Sequence, residues 1–116
     1  MKTDEERLKN IAESFGFLEC DKAVEKMKRA FPGGNVIHLY FPHTYNNFVV
    51  SDRYKDAISR NGNHYGYEYR GKVHCNVYPE GMELNAWIHS FHAASDEVIV
   101  KRNGIEVFPD AAGIYH

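Results

Sequence analysis

Cys20, His64 and Asn76 are the side chains whose types and order along this chain could perform chemistry. A thiol that attacks an acyl carbon needs an imidazole to take its proton, and the imidazole needs a polar neighbour that fixes its tautomer. The order Cys, His, Asn supplies these three roles. We therefore predict a catalytic triad with Cys20 as the nucleophile, His64 as the base and Asn76 as the group that orients His64.

Cys20 lies in the first turn of a predicted amphipathic helix, which Pro32-Gly33-Gly34 ends. The positive end of the helix dipole and the unpaired amides of the first turn favour a thiolate and could hold an oxyanion. The alternative is that Cys20 fills an apolar position in the core. Glu19 and Asp21 count against an activated thiol, because adjacent carboxylates oppose thiolate formation.

His64 follows the turn-forming residues Asn61-Gly62-Asn63 and begins a predicted strand over residues 64–69. A second strand is predicted over residues 73–78, after Arg70-Gly71. The short connection predicts a tight hairpin between the two strands. The alternative for His64 is a structural histidine at a strand end.

The length of the hairpin loop decides which side chains surround His64, because side chains alternate between the two faces of a sheet. A loop of three residues places His64 on one face with Asn76 and Tyr78. A loop of two residues places it on one face with Cys75 and Val77. The sequence leaves both registers open.

The remaining elements are predicted from hydrophobic periodicity and turn signals. A first helix begins at Thr3, with Glu6 at capping-box spacing, and ends at Gly16. Another helix begins near Leu84 and repeats apolar residues over about ten positions, and Asn103-Gly104 is a strong hairpin signal. The pattern predicts one α+β domain over residues 1–116, with N-terminal helices packed on an antiparallel β-sheet. The other predicted strands are 36–41, 48–50, 98–100 and 105–108.

Composition narrows the range of partners. The formal charge of −2 argues against a surface built to neutralise phosphates, so nucleic acid is not the expected partner. Two cysteines are too few for a disulfide framework or a zinc knuckle. The charged N-terminal residues and the lack of a long apolar run predict a soluble protein without a signal peptide or membrane span.

The other histidines suggest two different sites. His89 and His92 have a spacing that can hold a metal, but no third ligand is near, so we expect neither a metal nor another cofactor. Three further histidines and a lysine could cleave RNA, a reaction that needs two imidazoles and a cation rather than a thiol. This rival set consists of His38, His43, His74 and Lys72.

Several short motifs stand out between residues 10 and 92. They are Phe15-Gly-Phe-Leu-Glu-Cys20, Ile58-Ser-Arg-Asn-Gly-Asn-His-Tyr-Gly-Tyr67, Val73-His-Cys-Asn76, Pro79-Glu-Gly81 and Trp87. Together they resemble the papain-fold toxin domains of bacterial polymorphic toxin systems. The resemblance implies a papain-like fold in which Cys20 is the nucleophile and His64 the base. The family usually carries an Asp-Asn pair where this chain has Cys75-Asn76, so the third position of the triad is Asn76 or, alternatively, Cys75.

The resemblance also implies a role. A toxin or effector domain of this kind acts on a protein or peptide substrate and is neutralised in its producer by an immunity protein. We therefore expect a thiol hydrolase, in the form of a protease, deamidase or acyl transferase, that is cytoplasmic in the producer and delivered into target cells. The alternative is a catalytically inactive papain-like binding module.

Overall fold

The computed structural model describes residues 2–16, 18–42, 48–94 and 97–116. Two helices, α1 (Asp4–Glu13) and α2 (Cys20–Ala30), precede the strands, and a short helix, α3 (Leu84–Ile88), follows the fourth strand. The strands are β1 (Asn35–Tyr40), β2 (Val49–Ser51), β3 (Asn63–Tyr69), β4 (Lys72–His74), β5 (Phe91–Ala93), β6 (Ile99–Arg102) and β7 (Ile105–Val107).

Five strands form one sheet in the order β4-β3-β1-β6-β7, and every neighbouring pair is antiparallel. β2 and β5 pair separately. This arrangement confirms the predicted α+β fold with N-terminal helices and an antiparallel sheet. Since β3 pairs with β1 on one side and β4 on the other, the strand that carries His64 lies inside the sheet for part of its length.

The two long helices cover one face of the sheet. Apolar residues of α1 and α2 pack around the fully buried ring of Tyr67, with Tyr65 and Tyr69 beside it. The Tyr67 hydroxyl donates a hydrogen bond to the carbonyl of Phe31 and accepts one from the amide of Gly34 at 2.9 Å. The tyrosines that alternate along β3 therefore fix α2, and with it Cys20, against the sheet.

Trp87 is the centre of the opposite face. Its side chain is fully buried with Ile37, Leu39 and Val73 in the larger hydrophobic core. Gly66 makes room for it, because a Cβ at that position would lie 2.6 Å from Trp87 Cζ2. The two faces of β3 thus have different roles, with tyrosines towards the helices and His64 and Gly66 towards Trp87.

Two predicted elements are shorter than the sequence pattern suggested. α3 has five residues rather than about ten, because the chain turns after His89 and Phe91 joins β5, where it pairs with Ser51. β4 ends at His74 rather than Tyr78, because Val73 pairs with Met82 as the chain folds back on itself. The predicted helix at Cys20 and the hairpin at Asn103-Gly104 are confirmed.

Gly81 is required where the chain folds back. Its φ of +89° is in the left-handed region, and an added Cβ would lie 2.6 Å from the His74 ring. Gly104 has a similar φ of +83° but no atom within 4 Å of such a Cβ, so it is a matched control. We expect Gly104→Ala to cost about 1–2 kcal/mol of unfolding free energy and Gly81→Ala about 1–3 kcal/mol more. Chemical denaturation of both variants checks this, and equal losses would show that the His74 contact is unimportant.

Candidate functional site

Cys20 is the first residue of α2, as its spacing predicted. Its side chain is 6% exposed. The residue before it, Glu19, makes no side-chain cap to the helix and instead accepts a hydrogen bond from the amide of Gly16 at 3.1 Å. The amides of the first helical turn are therefore not capped by the Glu19 side chain.

Burial has a larger effect on the pKa of the Cys20 thiol than the backbone amides at the start of α2. The pKa of Cys20 is raised above its ordinary value, first because burial disfavours the thiolate and then because of the charge of Asp21. The backbone amides of Tyr65, Asp21 and Cys20 itself act in the opposite direction. Cys20 is therefore a neutral thiol at pH 7 in this structure.

His64 lies in an aromatic niche on the Trp87 face of β3. Its ring centroid is 5.5 Å from that of Trp87 and 4.4 Å from that of Phe91. The side chain is 0% exposed, and neither ring nitrogen has a hydrogen-bond partner within the described residues. Burial, with a smaller contribution from His38, lowers the pKa of His64 to about 3. The imidazole is therefore neutral at pH 7, and within this niche it is a weak base.

The hairpin has the two-residue loop. Tyr69 pairs with Lys72, and Arg70 and Gly71 form the turn with φ values of 52° and 83°. In this register His64 lies on the same face as Val73, which is the face that the two-residue alternative assigned to Cys75. Because β4 ends at His74, both Cys75 and Asn76 lie beyond the paired part of the hairpin.

Asn76 reaches the segment that precedes Cys20. Its side-chain Nδ2 donates a hydrogen bond to the carbonyl of Gly16 at 2.8 Å. Its Oδ1 is buried and has no hydrogen-bond partner in the parts of the chain that the structure describes. Asn76 is thus joined to the Cys20 side of the site through one end of its amide, and the other end is unsatisfied.

Cys75 is buried deeply beside Trp87. Its Sγ accepts hydrogen bonds from Trp87 Nε1 at 3.3 Å and from the amide of Tyr78 at 3.4 Å. Burial raises the pKa of this thiol to about 11, despite these two donors. Cys75 is therefore neutral, and a thiol sulfur is a weaker hydrogen-bond acceptor than the carboxylate that the resembled family usually has at this position.

A cavity of about 350 Å³ opens next to Cys20. Ile58 and Leu18 supply apolar lining, and Leu18 has a φ of 72°, which is unusual for a non-glycine residue. The polar part of the wall is held together by Asn61, whose Oδ1 accepts hydrogen bonds from Ser59 Oγ at 2.9 Å and from the Asn63 amide at 3.1 Å. The cavity is lined by Leu18, Cys20, Asp21, Ile58, Ser59, Arg60, Asn61, Asn63 and Tyr65.

Sequence reasoning assigned Asn63 only to a turn, yet it lines this cavity and binds a histidine. His38 Nε2 donates to Asn63 Oδ1 at 2.6 Å, and the His38 ring stacks on Tyr65 with centroids 4.4 Å apart. The antiparallel pairing of β1 with β3 brings these residues together, because it places His38 opposite Tyr65 and Tyr40 opposite Asn63. The sequence alone does not fix this register. His38 and Asn63 thus form a polar rim beside the Cys20 cavity.

The rival ribonuclease set does not converge within the described residues. His38 lies on β1, whereas His74 is fully buried on β4 and donates from Nδ1 to the carbonyl of Pro79 at 2.9 Å. Lys72 is on the surface near Glu5, and His43 lies outside the described residues. β3 separates the strands of His38 and His74.

His89 and His92, the two histidines with metal-like spacing, lie in different elements. His89 ends α3 and His92 lies on β5, where its Nε2 is 2.8 Å from Asp52 Oδ1. No group of three or more potential metal-binding side chains occurs among the residues that the structure describes.

Over the same residues, no helix has both the length and the apolar character needed to cross a membrane.

The family of the chain follows from comparison with known proteins. No curated protein and no solved structure matched the chain. A family model described as papain fold toxin 2 matches residues 3–92, a range that contains Cys20, His64, Cys75 and Asn76. The observed helices on an antiparallel sheet agree with a papain-like fold. The chain belongs to the papain fold toxin 2 family.

Proposed function

We propose that this protein is a papain-like thiol hydrolase that acts on peptide or side-chain amide bonds, with Cys20 as the nucleophile and His64 as the base. The position of Cys20 carries the proposal: the thiol begins a helix and lines a cavity large enough to admit a substrate side chain. Membership of a papain-fold toxin family supports this chemistry.

The proposed reaction has two steps. His64 takes the proton of the Cys20 thiol as the sulfur attacks the amide carbon, and the carbonyl oxygen becomes an oxyanion held in part by the Cys20 backbone amide. The C–N bond then breaks, and the amine leaves with the proton from His64. Water, or another nucleophile in the case of acyl transfer, attacks the thioester and regenerates the thiol.

The third group of the proposed triad is Asn76. Within the described residues its Oδ1 is buried without a hydrogen-bond partner, and so are both nitrogens of His64. Each group therefore lacks the partner that a His–Asn hydrogen bond would supply. Cys75 is the alternative, but a neutral thiol would stabilise an imidazolium only weakly.

The described arrangement is then a resting state of the proposed site. His64 points into the niche of Trp87 and Phe91, whereas Cys20 lies near the Tyr65 backbone and opens to the cavity. Catalysis requires the imidazole to leave this niche and reach the thiol. Unliganded thiol enzymes commonly have looser contacts than their substrate complexes.

Alkylation of the two cysteines by iodoacetamide at pH 7.5 tests the proposal, with mass spectrometry to separate the sites. We expect Cys20 to react at least about tenfold faster than Cys75, because Cys20 lines the cavity whereas Cys75 is fully buried. We expect His64→Ala to slow the labelling of Cys20 by about tenfold or more.

His74→Ala is the matched control, because His74 is also fully buried but its Nδ1 is bound to the Pro79 carbonyl. Equal labelling of the two cysteines in the wild-type protein, or equal effects of the two histidine substitutions, would contradict the proposed enzyme. The first result would favour an inactive papain-like binding module, for which the neutral Cys75 in the triad region is the best argument.

We also propose the biological setting that the family suggests. The protein would act as a toxin on a protein or peptide substrate, and an immunity protein would neutralise it in the producing cell. An immunity protein that covers the cavity beside Cys20 would protect Cys20 from iodoacetamide and leave the reactivity of Cys75 unchanged.

A further inference from the structure

We propose that Asn76 is a positioning residue for Cys20: the N–H donor of its side chain holds the Gly16 carbonyl and thereby fixes the turn from which α2 begins. This role differs from that of orienting His64, which would use the opposite end of the same amide. Any effect of this role on catalysis rests on the proposed function, whereas the structural role of Asn76 does not.

The turn before Cys20 is held by a compact set of hydrogen bonds. The Gly16 carbonyl accepts from the Glu19 amide at 3.3 Å as well as from Asn76 Nδ2 at 2.8 Å. In return, Glu19 Oε1 accepts from the Gly16 amide at 3.1 Å, and the Glu19 carbonyl accepts from the amide of Ala23 in α2 at 3.0 Å. The Asn76 bond is the one among these that connects the turn to a distant part of the chain, just beyond the end of β4.

This turn needs support from outside because its backbone is strained. Leu18 has a φ of 72°, a conformation that costs a non-glycine residue free energy and persists where the surroundings enforce it. Asn76 is 60 residues away in sequence, so its bond supplies an enforcing contact that local sequence does not. The position of the Cys20 thiol depends on that contact, since Cys20 follows the strained segment directly.

The two ends of the Asn76 amide make the two roles separable. Holding Gly16 requires a donor, because a carbonyl can only accept, whereas orienting an imidazole N–H requires an acceptor. Asn76→Asp keeps the size and the acceptor but removes the donor when the carboxyl is ionised. The positioning role therefore fails in this variant, and an orienting role does not.

Amide hydrogen exchange of Glu19 and Ala23, whose amides donate to the carbonyls of Gly16 and Glu19, tests the proposal when measured at pH 8, where the introduced carboxyl is ionised. We expect exchange to accelerate about tenfold in Asn76→Asp and about 2- to 10-fold in Asn76→Ala, the range that corresponds to one lost hydrogen bond. The control is Asn85→Asp, which loses the bonds from Asn85 Nδ2 to the Tyr115 carbonyl at 2.8 Å and to Glu83 Oε1 at 3.2 Å.

A second readout separates positioning from a general loss of stability. Backbone amides at the start of α2 lower the pKa of Cys20, so a loosened turn should move the midpoint of the rate of Cys20 alkylation to higher pH. We expect this shift in Asn76→Ala, which adds no charge, and not in Asn85→Asp.

Unchanged exchange in Asn76→Asp, or exchange that rises equally in the Asn85 control, would overturn the proposal. Hydrogen exchange requires no catalysis, so the result stands even if wild-type Cys20 proves no more reactive than Cys75. In that case the proposed enzyme fails while the positioning role is decided separately.

Discussion

Replacement of His64 with leucine should stabilise the protein at pH 7 by about 1–3 kcal/mol, the cost that one unsatisfied buried polar group imposes. The ring is fully buried against Trp87 and Phe91, and both of its nitrogens lack partners within the described residues. An apolar side chain of similar size would keep the packing without that cost. A residue that lowers stability in this way is expected where function requires it.

The same substitution should change the pH dependence of stability. The pKa of His64 is about 3 in the folded protein, against an ordinary value of 6.5, so the unfolded chain binds more protons between these values. Stability therefore falls as the pH decreases from about 6.5 towards 3, by about 1.4 kcal/mol per pH unit once His64 is ionised in the unfolded state. His64→Leu should lack this contribution.

Urea denaturation at pH 7 and pH 4.5 measures both effects. The wild-type protein should lose about 2–3 kcal/mol more than His64→Leu between the two pH values. His74→Leu is the control, because it removes a bond from Nδ1 to the Pro79 carbonyl together with an Nε2 that has no partner within the described residues, and should stabilise the protein less than His64→Leu at pH 7. A His64→Leu variant less stable than wild type at both pH values would show that the imidazole has a partner in solution.

Removal of Trp87 should have the largest destabilising effect. The side chain is fully buried, packs against His64 and Phe91, and donates from Nε1 to Cys75 Sγ. We expect Trp87→Ala to cost about 3–5 kcal/mol of unfolding free energy, because it leaves a cavity in the core. Thermal and chemical denaturation measure the loss.

A double-mutant cycle with Gly66 checks the physical cause. Gly66→Ala alone should cost about 1–3 kcal/mol, because its Cβ would lie 2.6 Å from both Trp87 Cζ2 and Val73 Cγ1. In a Trp87→Phe background the smaller ring leaves space for that methyl group, so the cost should fall by at least about 1 kcal/mol. Additive costs would mean that Val73, and not Trp87, opposes the added atom.

Local sequence predicted the parts of the site that depend on one element alone. The start of α2 at Cys20 followed from apolar periodicity ended by Pro32-Gly33-Gly34, and the β6–β7 hairpin followed from Asn103-Gly104. In both cases a single stretch of chain contains the information. The helix start therefore needed no knowledge of the tertiary structure.

The hairpin that carries His64 shows why the rest could not be predicted. Either loop length was compatible with Arg70-Gly71, and the two-residue form requires Arg70 to adopt a φ of 52°. The early end of β4 depends on the pairing of Val73 with Met82. The bond of Asn76 to Gly16 joins residues that are 60 positions apart in sequence. Likewise, Phe91 continued a helical period but joined β5 because β2 was available to pair with it.

The position of β1 between β3 and β6 has a consequence for the order in which the protein folds. Both neighbours of β1 come later in the chain, and contacts between distant residues form slowly because long loops must close first. During synthesis Cys20 is present well before Tyr65, His64 and Asn76, so its surroundings are complete only after the sheet has closed around β1. In this protein Cys20 is made early and its surroundings are completed later, so any activity of Cys20 would be acquired at a late stage of folding.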